Sequence, residues 1–180
     1  MPDTGLNFAR KLTNTYFCVM KLAWTIPLAF VCSFAYAQRE IPSVKIKDSG
    51  GKTVSSDLLT NDGKPFIVSF WATWCKPCIQ ELNAINDHYE DWQNATEVKV
   101  FAVSIDDARN SPKVGPFAQG RGWEFDVFID ENSDFKRAMN VNNVPHTFVF
   151  NGAGKIVSQH TSFVPGDEEK LYQELKNLVK

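Results

Sequence analysis

Phe66-Ile67-Val68-Ser69-Phe70-Trp71-Ala72-Thr73-Trp74-Cys75-Lys76-Pro77-Cys78 is the stretch on which the fold turns. Its first half is apolar at odd and even positions alike, as a strand covered on both faces must be. Beyond it the period changes. Ile79, Leu82, Ile85, Tyr89 and Trp92 recur every three or four residues, which is one face of a helix. Two cysteines therefore stand where a buried strand gives way to an amphipathic helix.

Upstream, Val44-Lys45-Ile46-Lys47 alternates, Asp48-Ser49-Gly50-Gly51 turns and Lys52-Thr53-Val54 returns, a short hairpin. Downstream, residues 98–104 read as a second buried strand and residues 111–121 as a helix made irregular by Pro112, Gly115 and Pro116. Residues 125–129 follow as a strand and 133–141 as a helix with Ser133 as N-cap. A strand over 145–150 turns at Gly152 and Gly154 into a return at 155–158. Asp167 caps a last helix that places Leu171, Leu175, Leu178 and Val179 on one face. Its acids come first and its lysines last, which suits the helix dipole. This order predicts an α/β fold. A mixed central β-sheet is flanked by helices on both faces and preceded by an N-terminal β-hairpin extension, all in one domain over residues 38–180.

The chain has 180 residues, 43% hydrophobic and 22% charged, enough for a packed core. A net charge of -2 without a dense basic run excludes a nucleic-acid binder. Residues 22–37 (LAWTIPLAFVCSFAYA) carry no charge and fall short of the about 20 apolar residues that a membrane span needs. They end in Ala35-Tyr36-Ala37, a signal-peptidase site, and Lys21 supplies positive charge upstream. Residues 1–37 are expected to be a cleaved signal peptide, with Met1 or Met20 as the start. The alternative is an uncleaved anchor that leaves the domain facing the periplasm. Cleavage removes Cys18 and Cys32 and leaves only Cys75 and Cys78. An exported chain with one close cysteine pair uses it for chemistry or for metal.

At a helix N-terminus, unpaired N–H groups and the dipole favour an anion, so Cys75 is the expected thiolate nucleophile. Two intervening residues bring Cys78 within disulfide reach as the resolving thiol. Pro77 sits in the first turn, where a missing N–H costs nothing. Lys76 favours the thiolate and Glu81 opposes it, so the redox poise is not readable. Structural zinc needs four ligands, and His88, His146 and His160 have no paired spacing; no metal is expected. Trp74 is read as a shield of the disulfide and a flat face for partners, and Trp71 equally as core or as site. His146 is a strand histidine that could approach the sulfurs. Asp106-Asp107 is read as a loop or helix-capping pair.

The segment FWATWCKPC at 70–78 resembles the active-site segment of the thioredoxin superfamily. With the signal segment, the hairpin and NVPHTFVF at 143–150, the chain looks like the TlpA/ResA branch of exported thiol-disulfide oxidoreductases, over residues 42–180. The resemblance implies that Pro145 is a cis proline beside the cysteines and that the backbone of Val144 pairs with bound substrate. It also implies that Glu81, three residues after Cys78, tunes the thiols. Cytosolic thioredoxins have a buried Asp six residues before the first cysteine; here that place holds Ser69. Many relatives have a proline where this chain has Asn83. The expected activity is reduction of disulfides in periplasmic client proteins by a monomer without cofactor. A membrane thiol carrier would supply the electrons, and cytochrome c maturation is one setting. Two other readings stay open, a copper chaperone that holds a soft ion with the two thiolates and a partner protein with a vestigial motif.

Overall fold

The computed structural model describes residues 40–180. The charge-free run at 22–37 and the cleavage site before Gln38 lie outside the described residues.

The elements follow the order β1 (Lys45–Asp48), β2 (Thr53–Ser55), β3 (Phe66–Trp71), α1 (Lys76–Asp87), α2 (Tyr89–Thr96), β4 (Lys99–Ser104), α3 (Ser111–Gly120), β5 (Asp126–Ile129), α4 (Asp134–Ala138), β6 (His146–Phe150), β7 (Ile156–Thr161) and α5 (Asp167–Leu178). The strands form a seven-stranded sheet in the order β2-β1-β5-β4-β3-β6-β7. The neighbours β3, β4 and β5 run parallel, as helical crossovers require. β6 returns antiparallel beside β3, β7 beside β6, and the hairpin β1–β2 joins the far side through β5. The expected mixed sheet is present, and β3 lies inside it, with β4 on one flank and β6 on the other.

The pleat of β3 divides the core. Ile67, Ser69 and Trp71 face one side with Leu82, Ile85, Trp92, Leu171 and Leu175 of the helices. Phe66, Val68 and Phe70 face the other, against Phe135, Met139, Phe148 and Phe150. Aromatic rings dominate that second layer; Phe66 stacks on Phe150 with centroids 4.6 Å apart.

Three local expectations change. The stripe from Ile79 to Trp92 is two helices, broken at His88 (φ −117°, ψ 4°). The four-residue step from Ile85 to Tyr89 keeps both on the core side, so the break leaves the apolar period intact. Ser133 precedes α4 in the left-handed region (φ 57°) and makes no side-chain cap. The buried carboxylate of Asp130 accepts the N–H groups of Phe135 (3.2 Å) and Lys136 (2.7 Å) instead. Asp167 is the first residue of α5, with Gly166 (φ 104°) ahead of it; its carboxylate accepts the Val164 N–H at 3.0 Å.

Candidate active site

Cys75 is the N-cap of α1, and its Sγ accepts the backbone N–H of Cys78 at 3.4 Å. The end of the helix thus directs a donor at the sulfur, which favours a thiolate there. Pro77 occupies the first turn. The two cysteines form a disulfide with Cα atoms 5.3 Å apart. Cys75 is 5% exposed and Cys78 is fully buried, so the first is the more accessible sulfur. Trp74 projects beside them, 67% exposed.

The turn before Cys75 is fastened from β4. Asp106, buried, accepts the Thr73 N–H at 2.8 Å, the Thr73 hydroxyl at 2.7 Å and the Ser104 hydroxyl at 2.7 Å. Its neighbour Asp107 accepts the N–H groups of Arg109 and Asn110, both at 3.1 Å, at the approach to α3. Asp107 shapes the loop ahead of α3, whose N-cap is Asn110, so the pair is a loop pair and not a helix cap. Asp106, read from the sequence as one of a loop or helix-capping pair, supports the site instead. A polar residue closing an apolar strand was the available signal.

Pro145 reaches the same end of the sheet through strand pairing. His146 lies opposite Phe70, so the residues just before β6 stand beside the end of β3, where the cysteine turn begins. The Val144–Pro145 bond is cis. Half-buried Val144 packs against the cluster that contains both cysteines. The same register separates His146 from the sulfurs. It shares a sheet face with Phe148, on whose ring it stacks at 4.4 Å, whereas the cysteines pack on the opposite face. Its Nε2 is 3.2 Å from Gln159 Oε1, and burial holds its pKa below the ordinary histidine value.

Glu81 follows Cys78 on the inner face of α1 and is only 4% exposed. Its Oε1 accepts the Thr147 hydroxyl at 2.8 Å, and its Oε2 lies 3.4 Å from Ser69 Oγ. Ser69 and Thr147 are cross-strand partners 2.9 Å apart. Two hydroxyl hydrogens serve three acceptor groups, so the trio is best satisfied when a carboxyl proton is shared into it. Burial pushes the Glu81 pKa from 4.5 up to about 7, against the hydrogen bonds of Thr147 and Ser69.

Trp71 belongs to the core. It is fully buried, meets Trp123 edge-on at 4.9 Å, and its indole N–H has no hydrogen-bond partner among the described residues. Asn83 accepts the Trp123 Nε1–H at 2.9 Å and ties α1 to the loop after α3. Among the described residues no three His, Cys, Asp or Glu side chains are grouped to hold a metal ion.

A sequence model of the AhpC/TSA family matches residues 37–159. The chain belongs to the AhpC/TSA family. This AhpC/TSA chain is 29% identical to the thiol-disulfide oxidoreductase ResA of Bacillus subtilis (strain 168), over 78% of its own length and 74% of that protein's. A thioredoxin-like protein from Porphyromonas gingivalis, solved in solution, shares 50% identity with a TM-score of 0.70, covering 77% of this chain and 91% of that one. A Chlorobium tepidum chain assigned as thiol:disulfide interchange protein DsbE shares 26% identity with a TM-score of 0.68, covering 79% and 97%. The AhpC/TSA chain has a thioredoxin-like fold and is a thiol-disulfide oxidoreductase of the ResA/DsbE type.

Proposed function

We propose that this protein reduces disulfides of client proteins in the bacterial cell envelope through its Cys75/Cys78 pair. The observation that carries the reading is the helix cap: an N–H of the first turn of α1 points at Cys75 Sγ, and Cys78 lies behind it without solvent contact. In the reduced enzyme, the Cys75 thiolate attacks one sulfur of a client disulfide. A mixed disulfide forms and the first client sulfur leaves as a thiolate that takes a proton from water. Cys78 gives its proton to Glu81 and attacks Cys75 Sγ. The Cys75–Cys78 disulfide forms and the second client thiol leaves. Two electrons have moved to the client, and thiol-disulfide exchange with a membrane thiol carrier restores the dithiol.

The client chain lies across Trp74 and extends along the backbone of Val144 as an added strand, beside Pro145. The charge-free run at 22–37 supports export, with residues 38–180 acting in the periplasm as a monomer that needs no cofactor. Clients of the cytochrome c maturation kind fit this placement. Among the described residues no helix is long and apolar enough to cross a membrane.

Insulin-disulfide reduction tests the proposal. Cys78→Ser accumulates a mixed disulfide with substrate and Cys75→Ser is inert. Adduct on Cys75→Ser instead reverses the two roles. A reduction potential near -270 mV fits a reductant and one near -120 mV an oxidant. Tight Cu(I) binding without insulin reduction overturns the reading in favour of a copper chaperone.

A further inference from the structure

Glu81 is enclosed by protein, yet one side of it lines a cleft of about 250 Å³ between β7 and α5. His160 forms part of the β7 wall, and Asp167, Glu168 and Lys170 line the α5 side. A space of that size with polar walls holds several waters, each taking about 30 Å³. Neither Cys75, Trp74, Val144 nor Pro145 lines it, so it opens away from the surface where a client docks.

The charged groups around Glu81 come from two elements. From β7, His160 Nε2 is 3.0 Å from Glu174 Oε2 of α5, an oxygen that also accepts the Ser158 hydroxyl at 2.5 Å. From α5, Asp167 pairs with Lys170 at 2.6 Å, and Glu168 stands beside them. β3 and β6 offer only the uncharged hydroxyls of Ser69 and Thr147. Within α1, Glu81 is the one charged residue that lines the cleft.

Resolution of the mixed disulfide requires Cys78 to lose a proton, and Cys78 has no exposed surface of its own. Glu81 is one helical turn further on the same face. At that stage the client covers the cysteine side. We propose that the cleft between β7 and α5 is the route by which Glu81 exchanges protons with solvent, and that His160 on its wall is a positioning residue that keeps Glu81 able to accept one. This rests on the reading of Glu81 as the base for Cys78. The step balances: the Cys78 thiol and the Glu81 carboxylate become the thiolate and the carboxylic acid, and the acid then returns its proton to a cleft water. Protonated His160 lowers the pKa of Glu81 and Asp167 raises it, so the walls bias the carboxyl that they flank.

The test is the rate at which a preformed mixed disulfide with a model peptide is resolved, followed by stopped flow across pH in the full chain. Lys170→Trp lays an indole over the cleft mouth, and Lys170→Gln removes the same charge while leaving the mouth open. His160→Gln replaces the imidazole on the cleft wall by a neutral amide. Lys170→Trp is expected to slow resolution several-fold relative to Lys170→Gln. His160→Gln is expected to move the midpoint of the pH profile upward, because the influence of His160 that lowers the Glu81 pKa is lost. Both effects vanish when Glu81→Gln is already present, itself slower by about 100-fold. Equal rates for the two Lys170 variants, or effects that persist without the Glu81 carboxylate, overturn the proposal. Glu81→Gln at the wild-type rate removes the base reading, whereas a slow Glu81→Gln with an indifferent Lys170→Trp removes the cleft route alone.

Discussion

The burial of Glu81 has a thermodynamic consequence that needs no substrate to measure. Its pKa is raised from 4.5 in the open chain to about 7 in the fold. Below the lower value both states are protonated and the group costs nothing. Between the two values the unfolded chain ionises while the fold stays protonated, so stability falls as pH rises and levels off above about 7. A shift of that size corresponds to about 3 kcal/mol. In the oxidised protein, urea unfolding of wild type and Glu81→Gln at pH 4 and pH 8 should show this loss in wild type and not in the variant. Equal pH dependence would mean that Glu81 titrates as a solvated carboxyl. Cys75 and Cys78 were legible as a pair within disulfide reach, because spacing and helix position bring the two sulfurs together. The burial of Glu81 was not legible. Periodicity reading assigned Ile79 to the inner face, but Glu81 takes that side with Cys78, Leu82 and Ile85. Its hydroxyl partners come from β3 and β6, and no local pattern announces them. His146 was legible as a strand histidine, since alternation with Phe148 and Phe150 already places it on the aromatic face.

At the scale of elements, the turn from β3 into α1 depends on a contact from β4. Asp106→Ala leaves the Thr73 N–H, the Thr73 hydroxyl and the Ser104 hydroxyl without their acceptor, at a cost of about 3 kcal/mol. Thermal unfolding should show that loss, and insulin reduction by the surviving folded fraction should slow because the Cys75 turn is no longer held. Full activity with full stability would show that the turn holds itself. The aromatic layer on the other face has its own measure. Phe70 meets Phe135 at 5.1 Å and Phe148 at 6.0 Å, and Phe70→Ala should cost about 3–5 kcal/mol in urea unfolding. Strands and helices of this layer were legible from alternation and period. The break at His88 was not, because no proline or glycine marks it and the apolar spacing runs through it unchanged. The capping of α4 by Asp130 was missed because the acceptor lies upstream of the turn it serves.

For the whole molecule, the succession of strands and helices made a mixed sheet readable, while strand order was not. Nothing in β1 or β2 says that their hairpin extends the sheet beyond β5. Intact mass of the exported protein is expected to begin at Gln38; recovery of the full chain from membranes would replace the soluble placement with an anchor. The pairing of β3 with β6 bears on when the site comes into being. Ser69 and Thr147 are 78 residues apart, and Glu81 and Thr147 are 66 apart. Long-range pairing of this kind forms late, since the intervening chain must close first. Until β6 docks, Glu81 is an ordinary carboxylate in water and the two thiols stand without Val144 packed against their cluster. On the export route proposed above, a newly translocated chain carries its cysteines before it carries their properties. In an oxidising compartment they are open to capture by any passing thiol or disulfide until the last third of the chain has folded onto them.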